Sequence, residues 1–162
     1  MLYSKVLQTP IGNMFALADE GFLLLLEFFE GKYFEKNCNY FGNNFINKSN
    51  KIIDLLENEL KLYFYKKLKQ FSVPVKFHGT DFQQKVWKSL QEIPYGKTIS
   101  YRQQSENLNI PRAVRAVATA NSRNKISIVV PCHRVVGANG DLVGFASGIE
   151  RKRYLLDLER FN

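Results

Sequence analysis

The sequence has little of several residue types, and each scarcity excludes a class of protein. Its 162 residues include two cysteines and two histidines, too few for a disulfide-dense secreted scaffold or a structural zinc site. No apolar run approaches the roughly 18 residues of a membrane-spanning helix, since the longest, Phe22 to Leu26, ends at Glu27. The N-terminus also lacks the basic start and apolar stretch of a secretory signal. We therefore expect a cytoplasmic protein without membrane attachment, whose two cysteines are thiols.

Positive charge is abundant and unevenly distributed. The formal net charge is +8; residues 1–78 hold ten basic against eight acidic side chains, and residues 79–162 hold thirteen against seven. Every arginine lies in this second part, and the planar guanidinium suits phosphate and base-edge contacts. The charge therefore predicts a polyanionic partner, although a basic surface that only keeps the protein soluble explains it equally well.

Hydropathy patterning predicts an α+β protein that begins with a small α/β domain with an antiparallel sheet at residues 1–78. The predicted elements are a hairpin of residues 2–8 and 14–18, a third strand at Phe22–Phe28, an irregular connection over 31–50 and a helix from Lys51 that ends before Val73. Periodicity lapses over Pro74–Gly79, which is where we expect the domain boundary.

Residues 79–162 have the pattern of a mainly helical domain. Thr80 and Ser100 are suited to cap two successive helices, which end near Pro94 and at Leu108. The further predicted helices are Arg112–Asn121 and Glu150–Leu158, the latter with Tyr154, Leu155 and Leu158 facing inward. The tight break before the arginine-bearing third helix is typical of a helix-turn-helix, although many helical hairpins never contact DNA.

The run Pro131-Cys132-His133-Arg134 contains the strongest candidate for chemistry. A thiol of ordinary pKa is mostly protonated at neutral pH, so a nucleophilic cysteine needs a base or a positive charge beside it. His133 can take the proton and Arg134 adds local charge; Glu159 or Glu150 of the last helix can orient the imidazole. Seen alone, the Cys132-His133 pair is more typical of a buried thiol that only packs.

Several longer motifs in residues 79–162 together resemble one known protein family. They are FQQKVWKSLQEIPYGKTISY, RAV, a short stretch containing Asn124, PCHRVV and GFASGIERKRYLLDLE, in this order. The set resembles the O6-alkylguanine-DNA alkyltransferases, and the opening TPIGNM resembles their N-terminal domain more loosely. The resemblance implies a ribonuclease H-like support domain at residues 1–78 and a helical domain at 79–162 that binds DNA and accepts the alkyl group.

The resemblance also implies the catalytic residues and their roles. Cys132 would accept the alkyl group from guanine O6 irreversibly, so that each molecule acts once, and His133 would deprotonate the thiol through a water. Glu159 would hold the imidazole in the required tautomer, and Asn124 would brace the turn that presents Cys132. Tyr101 would give a proton or hydrogen bond to the departing guanine. The implied partner is double-stranded DNA carrying O6-alkylguanine, with O4-alkylthymine open as a second substrate, and the implied protein is a monomer without metal or cofactor.

DNA contact is expected from the third helix, where Arg115 would enter the base stack vacated by a flipped nucleotide. The neighbouring small or apolar positions implied to approach the groove are Ala113, Val114, Ala116 and Ala118. They suit close approach without a base-edge code, which a repair protein requires, although small residues also serve plain helix packing.

A substrate pocket is implied at Val135, Phe145, Ala146 and Ser147. The last three depart from the family pattern, which usually has tyrosine at 145, serine in some members at 146 and commonly glycine at 147. These departures leave the substrate oxygen to backbone amides and put acceptance of bulky adducts in question.

Two other functions fit parts of the sequence. A DNA-binding regulator with a sensing thiol would use the helix-turn-helix and the basic half, and it would select one operator sequence. A cysteine hydrolase would use Cys132 and His133, but it needs an oxyanion hole and repeated turnover.

Overall fold

A computed structural model of the chain describes residues 1–160 and divides it into two compact units, Met1–Phe77 and a second that begins at His78. The strands are β1 (Tyr3–Thr9), β2 (Gly12–Ala18), β3 (Leu23–Phe28), β4 (Ile99–Ser100) and β5 (Val135–Val136); the α-helices are α1 (Phe34–Tyr40), α2 (Lys51–Phe64), α3 (Asp81–Leu90), α4 (Tyr101–Asn107), α5 (Val114–Ser122) and α6 (Ile149–Arg160). The predicted α+β class is confirmed. No helix within residues 1–160 is long and apolar enough to cross a membrane.

The first unit is built on an antiparallel sheet in the order β1-β2-β3. The predicted hairpin is confirmed, with Thr9 paired to Gly12 across the turn. The third strand is confirmed too: all residues of β3 are buried, which explains its uninterrupted apolar run. Helix α2 begins at the predicted Lys51, where the Asn50 side chain accepts from the Ile53 N–H. The ribonuclease H-like assignment and the supporting role of this unit stay predictions.

The irregular connection predicted over residues 31–50 is wrong in part, because α1 lies within it. Its composition is rich in asparagine and lysine, and no helical period is visible in the sequence. Tertiary contacts hold the helix instead: Phe34 packs on Phe29 with ring centroids 4.9 Å apart. The Asn37 side chain donates to the buried carboxylate of Glu27 at 2.9 Å. A polar residue that breaks the apolar pattern of the helix is thus buried with its hydrogen bond made.

The second unit begins with the two predicted capped helices, and both caps are confirmed. The hydroxyls of Thr80 and Ser100 each accept from the backbone N–H three residues on, at Gln83 and Gln103. In return, the backbone N–H of each cap residue donates to the side-chain oxygen of the same glutamine. Trp87 of α3 donates from its indole nitrogen to the Ala120 carbonyl of α5 at 2.8 Å. This hydrogen bond ties α3 to α5 through the buried tryptophan.

Helices α4 and α5 form the predicted helix-turn-helix pair, with two corrections to the helical unit. The third helix begins at Val114 and not at Arg112, because Pro111 and a non-helical Ala113 (φ −101°, ψ 28°) keep the turn open longer. In α6 the prediction that Tyr154 faces inward is wrong, since its side chain is 39% exposed. Leu155 and Leu158 are buried as predicted.

Candidate active site and DNA interface

Cys132 stands at the start of a single 3-10 turn, Cys132–Arg134, and is half-buried. The segment before it is held by Asn124, which is buried and donates from its amide to the carbonyls of Val130 at 2.8 Å and Ile126 at 3.3 Å. The Asn124 oxygen accepts from the Ile126 N–H at 3.0 Å. One side chain thus satisfies three backbone groups of the loop that leads to the thiol, and it fixes the conformation of that loop.

His133 is fully buried against the carboxylate of Glu159. Its Nε2 lies 2.7 Å from Oε2 of Glu159, and Nδ1 is buried without a hydrogen-bond partner within the part of the chain that the structure describes. A carboxylate can only accept, so Nε2 carries the proton and Nδ1 keeps its lone pair. Burial lowers the pKa of His133, and the nearby cations Arg134 and Lys152 act in the same direction. The ring is therefore neutral at physiological pH and has one basic nitrogen available.

Arg134 lies on the other side of Glu159 and is itself buried. Its Nε donates to Oε1 at 2.9 Å and its Nη2 to Oε2 at 3.1 Å, while Nη1 donates to the Ile93 carbonyl at 2.7 Å. Burial acts to raise the pKa of Glu159, but the hydrogen bonds from His133 and Arg134 and the charge of Arg134 outweigh it and hold the pKa well below its usual range. Glu159 is thus ionised at physiological pH and accepts two hydrogen bonds from the guanidinium of Arg134. Of the two candidate carboxylates, Glu159 contacts the histidine, and Glu150 is exposed.

Tyr101 comes directly after a short strand that pairs in parallel with the strand following the Cys132 turn. Ile99 of β4 pairs with Val135 of β5, and Ser100 pairs with Val136. Tyr101 therefore follows one strand while the Cys132 turn precedes the other. The Tyr101 hydroxyl donates to the Val143 carbonyl at 2.9 Å, and burial together with the charge of Cys132 raises the pKa of Tyr101 to about 12. Of the predicted catalytic side chains, Asn124 and Glu159 contact the Cys132 turn or the segment before it, and Tyr101 lies close enough to Cys132 for its charge to act on the tyrosine pKa.

The predicted pocket residues have unequal exposure. Val135 is fully buried in β5, and Ser147 is buried as well. Phe145 and Ala146 are half-buried in the loop before α6. This loop must pass close to Tyr101: Gly144 has φ +71°, and a Cβ there would lie 3.0 Å from the tyrosine hydroxyl. Glycine is required at that position both for the backbone conformation and for the space.

Helix α5 presents an open groove together with the start of α3. The groove is lined by Thr80, Phe82, Gln83, Arg112, Ala113, Arg115, Ala116, Thr119 and Ala120. Arg115 and Ala116 are exposed, and Ala113 is half-buried at the turn. Val114 and Ala118 are half-buried outside this lining. The structure thus brings three of the five predicted DNA-contact residues together in one concave, positively charged surface.

Comparisons with known proteins agree with this geometry. A family model for the DNA-binding domain of 6-O-methylguanine DNA methyltransferase matches residues 81–161. A Methanosarcina barkeri protein named methylated-DNA–protein-cysteine methyltransferase is 41% identical over 161 residues, which cover 99% of each chain. The chain belongs to the methylated-DNA–protein-cysteine methyltransferases.

Solved structures of other methyltransferases share the fold. Mycobacterium tuberculosis OGT in complex with DNA superposes with a TM-score of 0.89 at 37% identity, covering 98% of this chain and 93% of that chain. The O6-methylguanine-DNA methyltransferase of Pyrococcus kodakaraensis superposes with a TM-score of 0.70 at 26% identity, covering 98% and 99%. Both units of this methyltransferase therefore have counterparts in solved relatives.

Two features of the site of this methyltransferase are not predicted from its sequence. The sequence predicts that Arg134 adds local charge, but not that it donates two hydrogen bonds to Glu159, which lies on a helix distant in sequence. Lys152 was not considered, although it is fully buried and donates to the Val143 carbonyl at 2.8 Å. A signal for Lys152 was present: with Leu155, Leu156 and Glu159 it has the i, i+3, i+4, i+7 spacing of one helix face.

Residues 1–160 contain no group of three or more histidine, cysteine or carboxylate side chains placed to hold a metal ion.

Proposed function

We propose that this methyltransferase repairs duplex DNA by moving the alkyl group of O6-alkylguanine onto Sγ of its own Cys132, once per molecule. The observation that carries the proposal is the buried row from Arg134 through Glu159 to His133, which leaves Nδ1 of His133, next to Cys132 in the chain, without a hydrogen-bond partner among residues 1–160. This is the arrangement that a thiol needs in order to become a nucleophile at neutral pH.

The chemistry follows from the contacts. His133 takes the thiol proton on Nδ1, directly or through one water, and the imidazolium that forms is stabilised by Glu159 at 2.7 Å. The thiolate attacks the alkyl carbon in line with the C–O6 bond, so the S–C bond forms as the C–O bond breaks. The electron pair moves onto the guanine, and Tyr101 supplies a proton or hydrogen bond to it. A thioether has no group here that could release it, so the protein is consumed.

Access to the base requires that the nucleotide leave the duplex, because the O6 carbon is stacked inside it. The groove beside α5 supports this step, since Ala113 and Ala116 are small enough for close approach and Arg115 is exposed at the same surface. We place Arg115 in the gap left by the flipped nucleotide. Small side chains and an arginine in the base stack require no particular base sequence, which suits a protein that must find damage at any guanine. We also propose that it acts as a monomer.

The assignment of the acceptor is tested by intact-mass and peptide mass spectrometry after incubation with O6-methylguanine duplex DNA. We expect one added methyl group, located on the peptide that contains Cys132. Cys132→Ser should gain none, while Cys38→Ser should behave as the wild type. A methyl group on Cys38, or an unmodified protein after complete repair of the DNA, would refute the assignment.

A further inference from the structure

The positive charge of the first unit is concentrated in one segment. Residues 60–78 hold five lysines and no acidic side chain, whereas residues 1–59 hold five lysines together with eight acidic side chains. Lysines that serve only solubility are interspersed with acidic side chains, so a segment of one sign indicates a partner of the opposite sign. The five lysines are all exposed: Lys61, Lys66, Lys67, Lys69 and Lys76.

Four of these lysines lie at or just beyond the C-terminal end of α2, and the helix dipole explains one of them. Lys61 lies in the last turn of α2, where a cation interacts favourably with the free carbonyl groups. This effect falls off within the last turn, and Lys66, Lys67 and Lys69 follow Phe64, where the helix ends. These three lysines therefore need another explanation.

Lys66 occupies a backbone position at which glycine is the favoured residue. Its φ is +63°, in the left-handed region. Its N–H donates to the Tyr63 carbonyl at 3.0 Å, and the Lys67 N–H donates to the Leu62 carbonyl at 2.8 Å. Helices commonly end in this way, and glycine adopts the conformation without the steric cost that a side chain incurs. A lysine here lowers stability relative to glycine, so its side chain is a candidate for function.

The loop that carries these lysines is held to α2 by a buried carboxylate. Glu59 accepts from the Ser72 N–H at 3.0 Å, from the Ser72 hydroxyl at 2.8 Å and from the Val73 N–H at 2.9 Å. The loop is therefore fixed at both ends, and a loop fixed before binding loses less conformational entropy on binding. It also presents Tyr65, which is 74% exposed and whose hydroxyl can donate to a phosphate oxygen.

We propose that Tyr65, Lys66, Lys67 and Lys69, which we call the lysine loop, form a second DNA-contacting surface that binds backbone phosphates of duplex DNA, in addition to the groove beside α5. The proposal rests on the proposed function only for its partner, duplex DNA. Lysine ammonium groups bind phosphate as point charges. Contacts of this kind add affinity without any preference for a base sequence. In this role the first unit contributes to DNA binding as well as to support.

Duplex DNA fits the lysine loop better than an anionic membrane does. A surface that binds membranes inserts apolar side chains next to its basic ones. In residues 65–70, however, Leu68 is half-buried in the protein, and the exposed side chains other than Tyr65 are lysines and Gln70. A repair protein must also search long stretches of duplex, and phosphate contacts that ignore base sequence permit such movement along DNA.

The salt dependence of DNA binding counts phosphate contacts and therefore tests the proposal. The affinity for an undamaged duplex is measured between about 50 and 200 mM salt for the wild type and for the triple variant Lys66→Gln, Lys67→Gln, Lys69→Gln. The slope of log K against log salt concentration should become shallower by about 2.7 in the variant, which is about 0.9 for each phosphate. Over this range the wild-type affinity should fall about 40-fold more than that of the variant. A slope within about 0.5 of the wild-type value would overturn the proposal.

A matched control removes the same charge from elsewhere on the first unit. The triple variant Lys32→Gln, Lys36→Gln, Lys48→Gln changes three exposed lysines that are interspersed with acidic residues, and its slope should stay within about 0.5 of the wild-type value. Equal changes of slope in the two triple variants would show an effect of net charge alone and would overturn the assignment to the lysine loop. Absence of methyl transfer to Cys132 in the wild type would instead refute the proposed function, while the slopes on undamaged DNA would still test the loop.

A single substitution separates DNA binding from stability. Lys66→Gly removes the charge and also the steric cost of the left-handed backbone, so the urea midpoint should rise while the salt slope becomes shallower by about 0.9. A lower midpoint with an unchanged slope would show that Lys66 serves folding and would overturn its role. Binding to phosphatidylserine vesicles that is lost in the Lys66, Lys67, Lys69 variant, with an unchanged DNA slope, would assign the loop to a membrane and overturn the proposal.

Discussion

Replacing Glu159 with glutamine removes the negative charge from the buried row of Arg134, Glu159 and His133 and leaves the side-chain volume almost unchanged. Oε1 of Glu159 accepts from Arg134, and Oε2 accepts from both His133 and Arg134. An amide offers one accepting oxygen and one donating nitrogen. If the oxygen stays with Arg134, the amide nitrogen faces Nε2 of His133, which must then accept. The imidazole proton moves to Nδ1, and the ring can no longer take the proton of Cys132.

Two consequences of Glu159→Gln can be sized. Removing one partner from a buried ion pair leaves Arg134 without its anion, which costs about 3 kcal/mol of the free energy of unfolding. The tautomer change should slow methyl transfer by roughly ten-thousandfold, the order seen when a carboxylate that orients a catalytic histidine is made an amide in a serine protease. Both effects share one cause and should appear together.

The assay pairs urea denaturation with single-turnover methyl transfer from O6-methylguanine duplex DNA. Glu150→Gln, exposed on the same helix, is the control and should match the wild type in both measurements. A Glu159→Gln protein that transfers methyl within about threefold of the wild-type rate would refute the tautomer argument. It would show that His133 does not depend on Glu159 to present a basic Nδ1.

Three further outcomes are expected. Asn124→Ala should lower the free energy of unfolding by about 3 kcal/mol in urea denaturation, because three buried backbone groups lose their partner; an unchanged midpoint would contradict the bracing role. Arg115→Ala should slow transfer from duplex DNA about tenfold while leaving transfer from a free alkylguanine base and the unfolding midpoint unchanged, and equal loss with both substrates would exclude a role in base flipping. His133 has a pKa lowered by burial, so the unfolded chain binds its proton at a higher pH than the folded one, and stability should fall as the pH drops below about 6.5. Urea midpoints at pH 7.5 and pH 5.5 should therefore differ more in the wild type than in His133→Gln, and equal differences would contradict a neutral buried ring.

Local patterns in the sequence were sufficient for much of the fold. The strand pattern before residue 30, the start of α2 and the caps at Thr80 and Ser100 were all predicted, because each is set by side chains within a few residues. Helix α1 was missed because its stability comes from the packing of Phe34 on Phe29 and from the Asn37–Glu27 hydrogen bond. Such contacts depend on residues of the sheet and cannot be seen in the local pattern of α1.

The site residues likewise differ in whether local sequence could predict their roles. Cys132 and His133 are adjacent, so their chemistry could be suggested from the chain alone, while the choice of Glu159 over Glu150 came from the family resemblance. Arg134 adds local positive charge as predicted, but its hydrogen bonds to Glu159 could not be predicted because that partner is 25 residues away. Lys152 was overlooked because a lysine is usually exposed, and only the geometry of Tyr101 and Val143 shows why it is buried.

The central claim is that Cys132 accepts one alkyl group and is never regenerated. It is tested most directly by the number of methyl groups transferred per protein molecule when O6-methylguanine duplex DNA is in large excess. We predict a rapid rise to a plateau at one methyl group per protein, with the plateau absent in Cys132→Ser. Steady transfer beyond one equivalent, or a plateau that survives in Cys132→Ser, would contradict the account.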